Sequence, residues 1–277
     1  MNINLYLNQA FAQHALLAGS LVAIACGLIG PFVVSRGMAF AIHGTSELAF
    51  TGAAGGLLVA NNPVLGAYVG AVIVATIFGT LGTKERERDS AIGVILAFGL
   101  GLGVLFLSYY HGFATQATNI LFGNIFGVSG DQLITLIIVA IAVLVAMVFI
   151  YRPLLFASVD PEVAEAKGVA VRTLGVVFLF ILAFTVTSAA QVVGTLLVLS
   201  LAITPAAAAQ RLATRPFTIT LVSVLFALTA SIGGIVASLA SGTVKPSIFV
   251  TAISFALYIF ARIIGTRPQA RQKESRS

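Results

Sequence analysis

Residues 132–151 read QLITLIIVAIAVLVAMVFIY, twenty positions without a charged side chain and without alternation of apolar and polar residues. A helix rises about 1.5 Å per residue, so such a stretch covers the roughly 30 Å of bilayer hydrocarbon. A membrane-barrel strand would instead alternate and be half as long. The stretch is therefore a spanning helix, and the rest of the chain shares its character. Of 277 residues, 59% are apolar and 9% charged, whereas a soluble domain carries about 25% charged residues. The mean hydropathy of +1.07 requires an apolar solvent. The expected fold is all-α, a polytopic membrane helical bundle in a single domain over 1–277.

Working outward from 132–151, further spans are expected near 14–35, 38–60, 64–82, 91–110, 173–190, 192–210, 217–240 and 247–265. That makes nine, or eight if 1–35 lies partly in the interface. The connecting segments test this order by charge. Arg36, Lys84, Arg86, Arg88, Arg152, Lys167, Arg172, Arg211, Arg215, Arg262, Arg267, Arg271, Lys273 and Arg276 all fall on one side, and Lys245 alone on the other. Lys and Arg gather in cytoplasmic loops, so the N-terminus is expected outside and the C-terminus in the cytoplasm, with 266–277 a basic cytoplasmic tail. The net charge of +6 thus reflects topology and not nucleic-acid binding. The first residues carry no Lys or Arg before the apolar run, so a cleaved signal peptide is not expected. Cys26 is the single cysteine, which excludes an intramolecular disulfide and a cysteine-rich metal cluster.

Small residues recur four apart as Gly52/Gly56, Gly66/Gly70, Gly99/Gly103 and Gly123/Gly127. In lipid, helices associate through close van der Waals contact, and such spacings are expected at helix crossings. Pro205 cannot donate to the carbonyl of Leu201 and should kink the span at 192–210.

Several chemistries have no support. No GxxxxGK[ST] exists, nor any Gly-Lys dipeptide, so this chain does not cradle ATP phosphates in the P-loop manner. HExxH and GxSxG are also missing. Two segments do carry chemistry. In HGTSELAFTG, 43–52, His43 and Glu47 stand four apart and therefore on one helix face, with Thr51 continuing the stripe and Ser46 beside it. Glu47 is the acidic residue set deep within a span, where a carboxylate is costly and functional by default. An imidazole and a carboxylate on one face supply half of a first-row metal site. The bland alternative is a His–Glu pair locking two helices. His14 and His111 read as surface histidines on the outer side.

In SVDPEVAEAKGV, 158–169, Asp160 suits an N-cap, Pro161 the first helical position and Glu162 the positive end of the helix dipole. Lys167 and Gly168 suit the far end, so a short self-capped helix is expected at the cytoplasmic surface. It is either an interfacial loop helix or a docking element for a soluble partner.

Taken together, SRGMAF (35–40), RERDSAIGV (86–94), NILFGNIFGVS (119–129), DPEVAEAKGV (160–169) and QVVGTLLVLSLAITPAAAA (191–209) resemble the permease subunits of bacterial ABC importers for zinc, manganese and iron. The pieces cover the chain nearly end to end in the family's order. The resemblance implies a type II importer-like homodimer in the bacterial cytoplasmic membrane, carrying zinc or manganese as substrate and holding no bound cofactor. It further implies a separate cytoplasmic ATP-binding subunit that hydrolyses ATP and an extracytoplasmic metal-binding protein. Asp160, Pro161, Glu162 and Gly168 match the family's coupling helix. At one place the chain departs from the pattern. The family usually has an aspartate and, four residues later, a histidine where this chain has His43 and Glu47. One imidazole and one carboxylate remain on one face, so the resemblance implies a transient metal site there. The alternative function is an ion-gradient-driven secondary metal carrier, with Glu47 as its coupling carboxylate.

Overall fold

Each helix stops where local chemistry stops it. The computed structural model describes residues 9–81, 85–110 and 123–265, and among them only helices and turns are built. Helix α1 spans Ala10–Ser35 and α2 Ala39–Ala60, the latter closing on Asn61 in the left-handed region. Asn62 then caps α3, Pro63–Thr80, by accepting from the Leu65 amide at 3.0 Å. Helix α4 is Glu85–Tyr109. After a 3₁₀ turn at Ile125–Gly127, Ser129 caps α5, Gly130–Val159. The short α6, Pro161–Ala166, leads into α7, Val171–Val193. A second 3₁₀ turn, Thr195–Leu197, is followed by α8, Val198–Ala202, α9, Thr204–Leu212, α10, Pro216–Ser241, and α11, Pro246–Gly265. The basic tail 266–277, Lys84, His111 and residues 119–122 of the NILFGNIFGVS segment lie outside the described residues.

Seven helices are long and apolar enough to cross a membrane: α1, α3, α4 from Arg88 onward, α5, α7, α10 and α11. The two remaining expected spans differ in character. Helix α2 has the length, at 22 residues, but its hydroxyls, glycines, His43 and Glu47 lower its hydropathy. The expected kinked span at 192–210 is broken instead. Helix α7 runs on to Val193, Gly194 (φ 104°) ends it, and the chain restarts as α8 and α9 with Pro205 in the first turn of α9. Proline lacks the donor for the Leu201 carbonyl, and it sits most comfortably where a new helix begins.

This broken segment nonetheless runs the depth of the bundle beside α11. The Ser247 hydroxyl donates to the Val193 carbonyl at 2.9 Å, the Thr251 hydroxyl meets Ser200 at 3.2 Å, and Gly265 abuts the backbone of Arg211. Other contacts sort the helix ends into the same two levels. Arg88 reaches the Gly37 carbonyl and Tyr151 bonds Thr220 at one end; Phe11 packs on Phe126 and Gly123 on Val193 at the other. Among the described residues, Arg36, Arg88, Arg152, Lys167, Arg172, Arg211, Arg215 and Arg262 share the first end, and Lys245 belongs to the second.

Three of the four glycine spacings do their work at crossings within the subunit, while Gly123 and Gly127 lie at the 3₁₀ turn and not on a spanning helix. Gly52 and Gly56 of α2 face Gly66 and Gly70 of α3 backbone to backbone; Gly99 and Gly103 of α4 receive Leu48, Phe50 and Thr51 of α2. Helix α2 is thereby wedged between α3 and α4. Outward apolar stripes fit lipid, such as Val94, Phe98 and Val104 on α4 and Ile134, Ile138 and Ile141 on α5.

Candidate functional site

His43 and Glu47 stand on adjacent turns of α2, as their spacing predicts. Glu47 is only 6% exposed, and His43 is half-buried beside Phe40, ring centroids 6.2 Å apart. The Nδ1 atom of His43 is buried and finds no hydrogen-bond partner, and the buried Glu47 carboxylate stands one turn further along the same helix. Buried polar groups are nearly always satisfied, so an orphaned imidazole nitrogen beside a buried carboxylate points to a ligand or a second chain.

The stripe does not extend as the spacing suggests. Thr51 donates to the Gly99 carbonyl of α4 at 2.8 Å, Ser46 to the His43 carbonyl at 2.9 Å and Thr45 to the Ala41 carbonyl at 2.7 Å. These hydroxyls are spent on backbone and leave imidazole and carboxylate as the two donors. Among the described residues no group of three His, Cys, Asp or Glu comes together. One chain thus holds two ligands, too few for a closed four-ligand structural site. A two-fold symmetric pair would present two imidazoles and two carboxylates.

Sequence reasoning missed a neighbouring feature. A cavity of about 230 Å³ opens between α2, α3, α5 and α7, lined by Phe50, Asn124, Gln132, Thr187, Gln191 and Thr195 among others. Gln132 donates to Gln191 at 3.3 Å, while Nε2 of Gln191 and the Thr187 hydroxyl are buried without partners. Lone amides on separate helices carry no spacing signal, so only the packing reveals them.

At the basic end, α6 is built as its residues dictate, though shorter than the stretch 158–169. The Asp160 carboxylate accepts from the Val163 amide at 3.0 Å, Pro161 opens the helix and Glu162 lies in its first turn. Asp160 also closes α5, so one residue ends one helix and starts the next. Gly168 takes φ +86°, where a side chain would be strained, and its amide bonds the Glu165 carbonyl at 2.9 Å. Ala164 alone is fully buried; Asp160, Pro161, Glu162, Val163, Glu165, Lys167 and Gly168 are all exposed. A pinned helix presenting acidic and apolar side chains together is a surface suited to a protein partner.

The sequence matches the ABC 3 transport family over residues 8–265. It is 32% identical to the manganese transport system membrane protein MntC of Halalkalibacterium halodurans, over 92% of this chain and 88% of that one. It is 29% identical to the high-affinity zinc uptake system membrane protein ZnuB of Haemophilus influenzae, over 90% and 96%. Among solved structures it resembles PsaBC from Streptococcus pneumoniae in complex with Fab, with a TM-score of 0.84 and 26% identity over 99% of both chains.

Proposed function

Because this chain belongs to the ABC 3 transport family, we propose that it is the membrane-spanning permease subunit of an ATP-driven importer of a divalent transition metal, manganese or zinc. The observation that carries this reading is the end-to-end likeness, in sequence and fold, to manganese and zinc permeases. The chain is a transport component and not an enzyme. ATP is bound and hydrolysed by a separate cytoplasmic subunit, and an extracytoplasmic metal-binding protein delivers the cargo.

Two copies form the path across the bacterial inner membrane. His43 and Glu47 from each copy face one another near the dimer axis as a transient station for the ion. The orphaned Nδ1 beside the buried Glu47 carboxylate supports this reading. Such a station must bind loosely, since release is part of each cycle. Each copy crosses the membrane nine times, α2 and the broken α8–α9 segment joining the seven long apolar helices, with the basic end in the cytoplasm. There α6 docks on the ATPase, Asp160, Pro161 and Glu162 framing the contact and Gly168 its exit.

The test is cellular zinc, manganese and iron content under metal limitation, comparing wild type, a deletion strain and Glu47→Gln at equal expression. Loss of one metal in both names the cargo and puts Glu47 on the path. A deletion that lowers one metal while Glu47→Gln does not removes the proposed station, and a silent deletion removes the importer.

A further inference from the structure

Arg36 and Arg88 meet at the basic end of the bundle, where α1 stops and α4 and α7 begin. Arg36 lies over the ring of Phe178 at 5.9 Å, beside Gly175, and its Nη1 is buried without a partner. No described carboxylate pairs with it. Arg88 donates from Nη2 to the Gly37 carbonyl at 3.1 Å, and its Nε stands 3.7 Å from Asp89 Oδ1, too far to hydrogen-bond. Arg88 thus has one loosely held carboxylate beside it, Arg36 has none among the described residues, and both carry buried N–H groups with nothing to donate to. The juxtaposition is repulsive: burial first, and the Arg88 charge second, push the Arg36 guanidinium below its ordinary value. Guanidinium keeps its proton regardless, so the repulsion is relieved by an anion.

The place and the chemistry narrow that anion. Planar guanidinium forks match phosphate oxygens two at a time. Basic pockets between helix ends on the cytoplasmic side are the sites that hold acidic lipid headgroups. The pair is not sealed off, since Arg88 and Asp89 keep 15% and 36% of their side chains exposed. The Phe178 ring under Arg36 is fully buried, so the guanidinium sits at the rim of the packed bundle. We propose that Arg36 and Arg88 form a phosphate-binding clamp at the junction of α1, α4 and α7, whose occupant is the phosphodiester of an anionic phospholipid. Binding there would tie the start of α2, one turn beyond Arg36, to the surrounding leaflet.

The experiment uses the full-length chain purified in neutral detergent, with added dioleoyl-phosphatidylglycerol, dioleoyl-phosphatidylcholine or inorganic phosphate. Thermal unfolding and lipid retention by native mass spectrometry are read for wild type, Arg36→Gln, Arg36→Lys and Arg88→Gln. Phosphatidylglycerol should raise Tm and be retained, phosphatidylcholine should do neither, and either Gln variant should weaken retention about tenfold, the loss expected for one charged hydrogen-bonding group. Arg36→Lys keeps the charge without the fork and should fall between, which covers the case in which Arg36→Gln does not fold. Inorganic phosphate reproducing the whole shift keeps the clamp and makes its ligand a soluble phosphate. Equal retention of phosphatidylglycerol by wild type and both arginine variants overturns the proposal. So does unchanged retention in variants that have lost only their association with the ATPase subunit, which would make the pair a protein contact.

Discussion

Gly52→Ala tests whether the α2–α3 crossing sets the position of the proposed metal station. A Cβ at Gly52 would lie 2.6 Å from the Gly66 carbonyl oxygen and 3.0 Å from the Gly70 Cα, both rigid backbone. Ordinary contact begins near 3.4 Å, so the helices must separate by about 0.8 Å, and dispersion contacts along the crossing weaken steeply over such a gap. Overpacking of this kind costs about 1–3 kcal/mol, offset by the roughly 1 kcal/mol that alanine gains over glycine in a helix. A net loss of up to about 2 kcal/mol is expected, or a fall in Tm of up to roughly 8 °C at this chain length. Glu47 lies little more than one turn before Gly52, so the shift also displaces the carboxylate. Gly101→Ala on α4 is the control, because nothing lies within 4 Å of its added Cβ. It should leave Tm unchanged or raise it. The assay is thermal unfolding of the purified protein in detergent, paired with metal uptake at matched membrane abundance. If Gly52→Ala unfolds at the same temperature as Gly101→Ala and transports normally, the close backbone approach is wrong and so is its role in placing α2.

Three further outcomes are expected. Substituting His43→Gln or Glu47→Gln should cut metal uptake at least about tenfold while shifting Tm little, because each removes one of the two ligating side chains from a site short of ligands; normal uptake in both would refute the station. Asp160→Ala loses the cap on the Val163 amide, worth about 1 kcal/mol, and Gly168→Ala forces a side chain into the left-handed region at about 1–2 kcal/mol. Both should lower ATP hydrolysis by the assembled transporter and its association with the ATPase subunit, and full coupling in either would remove α6 from the interface. Gly123→Ala should abolish accumulation of folded protein, since φ is +73° and the new Cβ would strike the backbone of Val193 and Gly194; wild-type membrane levels would contradict that packing.

How much was legible beforehand follows from how local each determinant is. Asp160, Pro161 and Gly168 act on backbone within a few residues, so the short helix at 161–166 was readable as written. The spacing of His43 and Glu47 puts them on one face of any helix, whatever surrounds it. Thr51 fits the same spacing equally well, yet its hydroxyl went to the Gly99 carbonyl, because the choice among partners depends on which helix lies alongside. The cavity amides Asn124, Gln132 and Gln191 come from three separated segments and meet only after packing. Pro205 announced a disturbance, but whether it bends a helix or separates two depended on the Gly194 turn and the α11 hydroxyls that hold the restart.

The sequence by itself determined that the chain is a helical membrane protein, which end of the bundle is basic, and that one imidazole and one carboxylate share a face of α2. Those properties rest on transfer free energy and helical periodicity, which are set within one or two turns. The tertiary structure decided that the small-residue crossings lie within one subunit, that the span after α7 is broken, and that the His43 Nδ1 is left without a partner. It also brought Arg88 onto the Gly37 carbonyl, next to Arg36, across 51 residues of chain. Each of these requires knowing which helix packs beside which, and in lipid that choice turns on close shape fit, because apolar surface alone does not distinguish one neighbour from another.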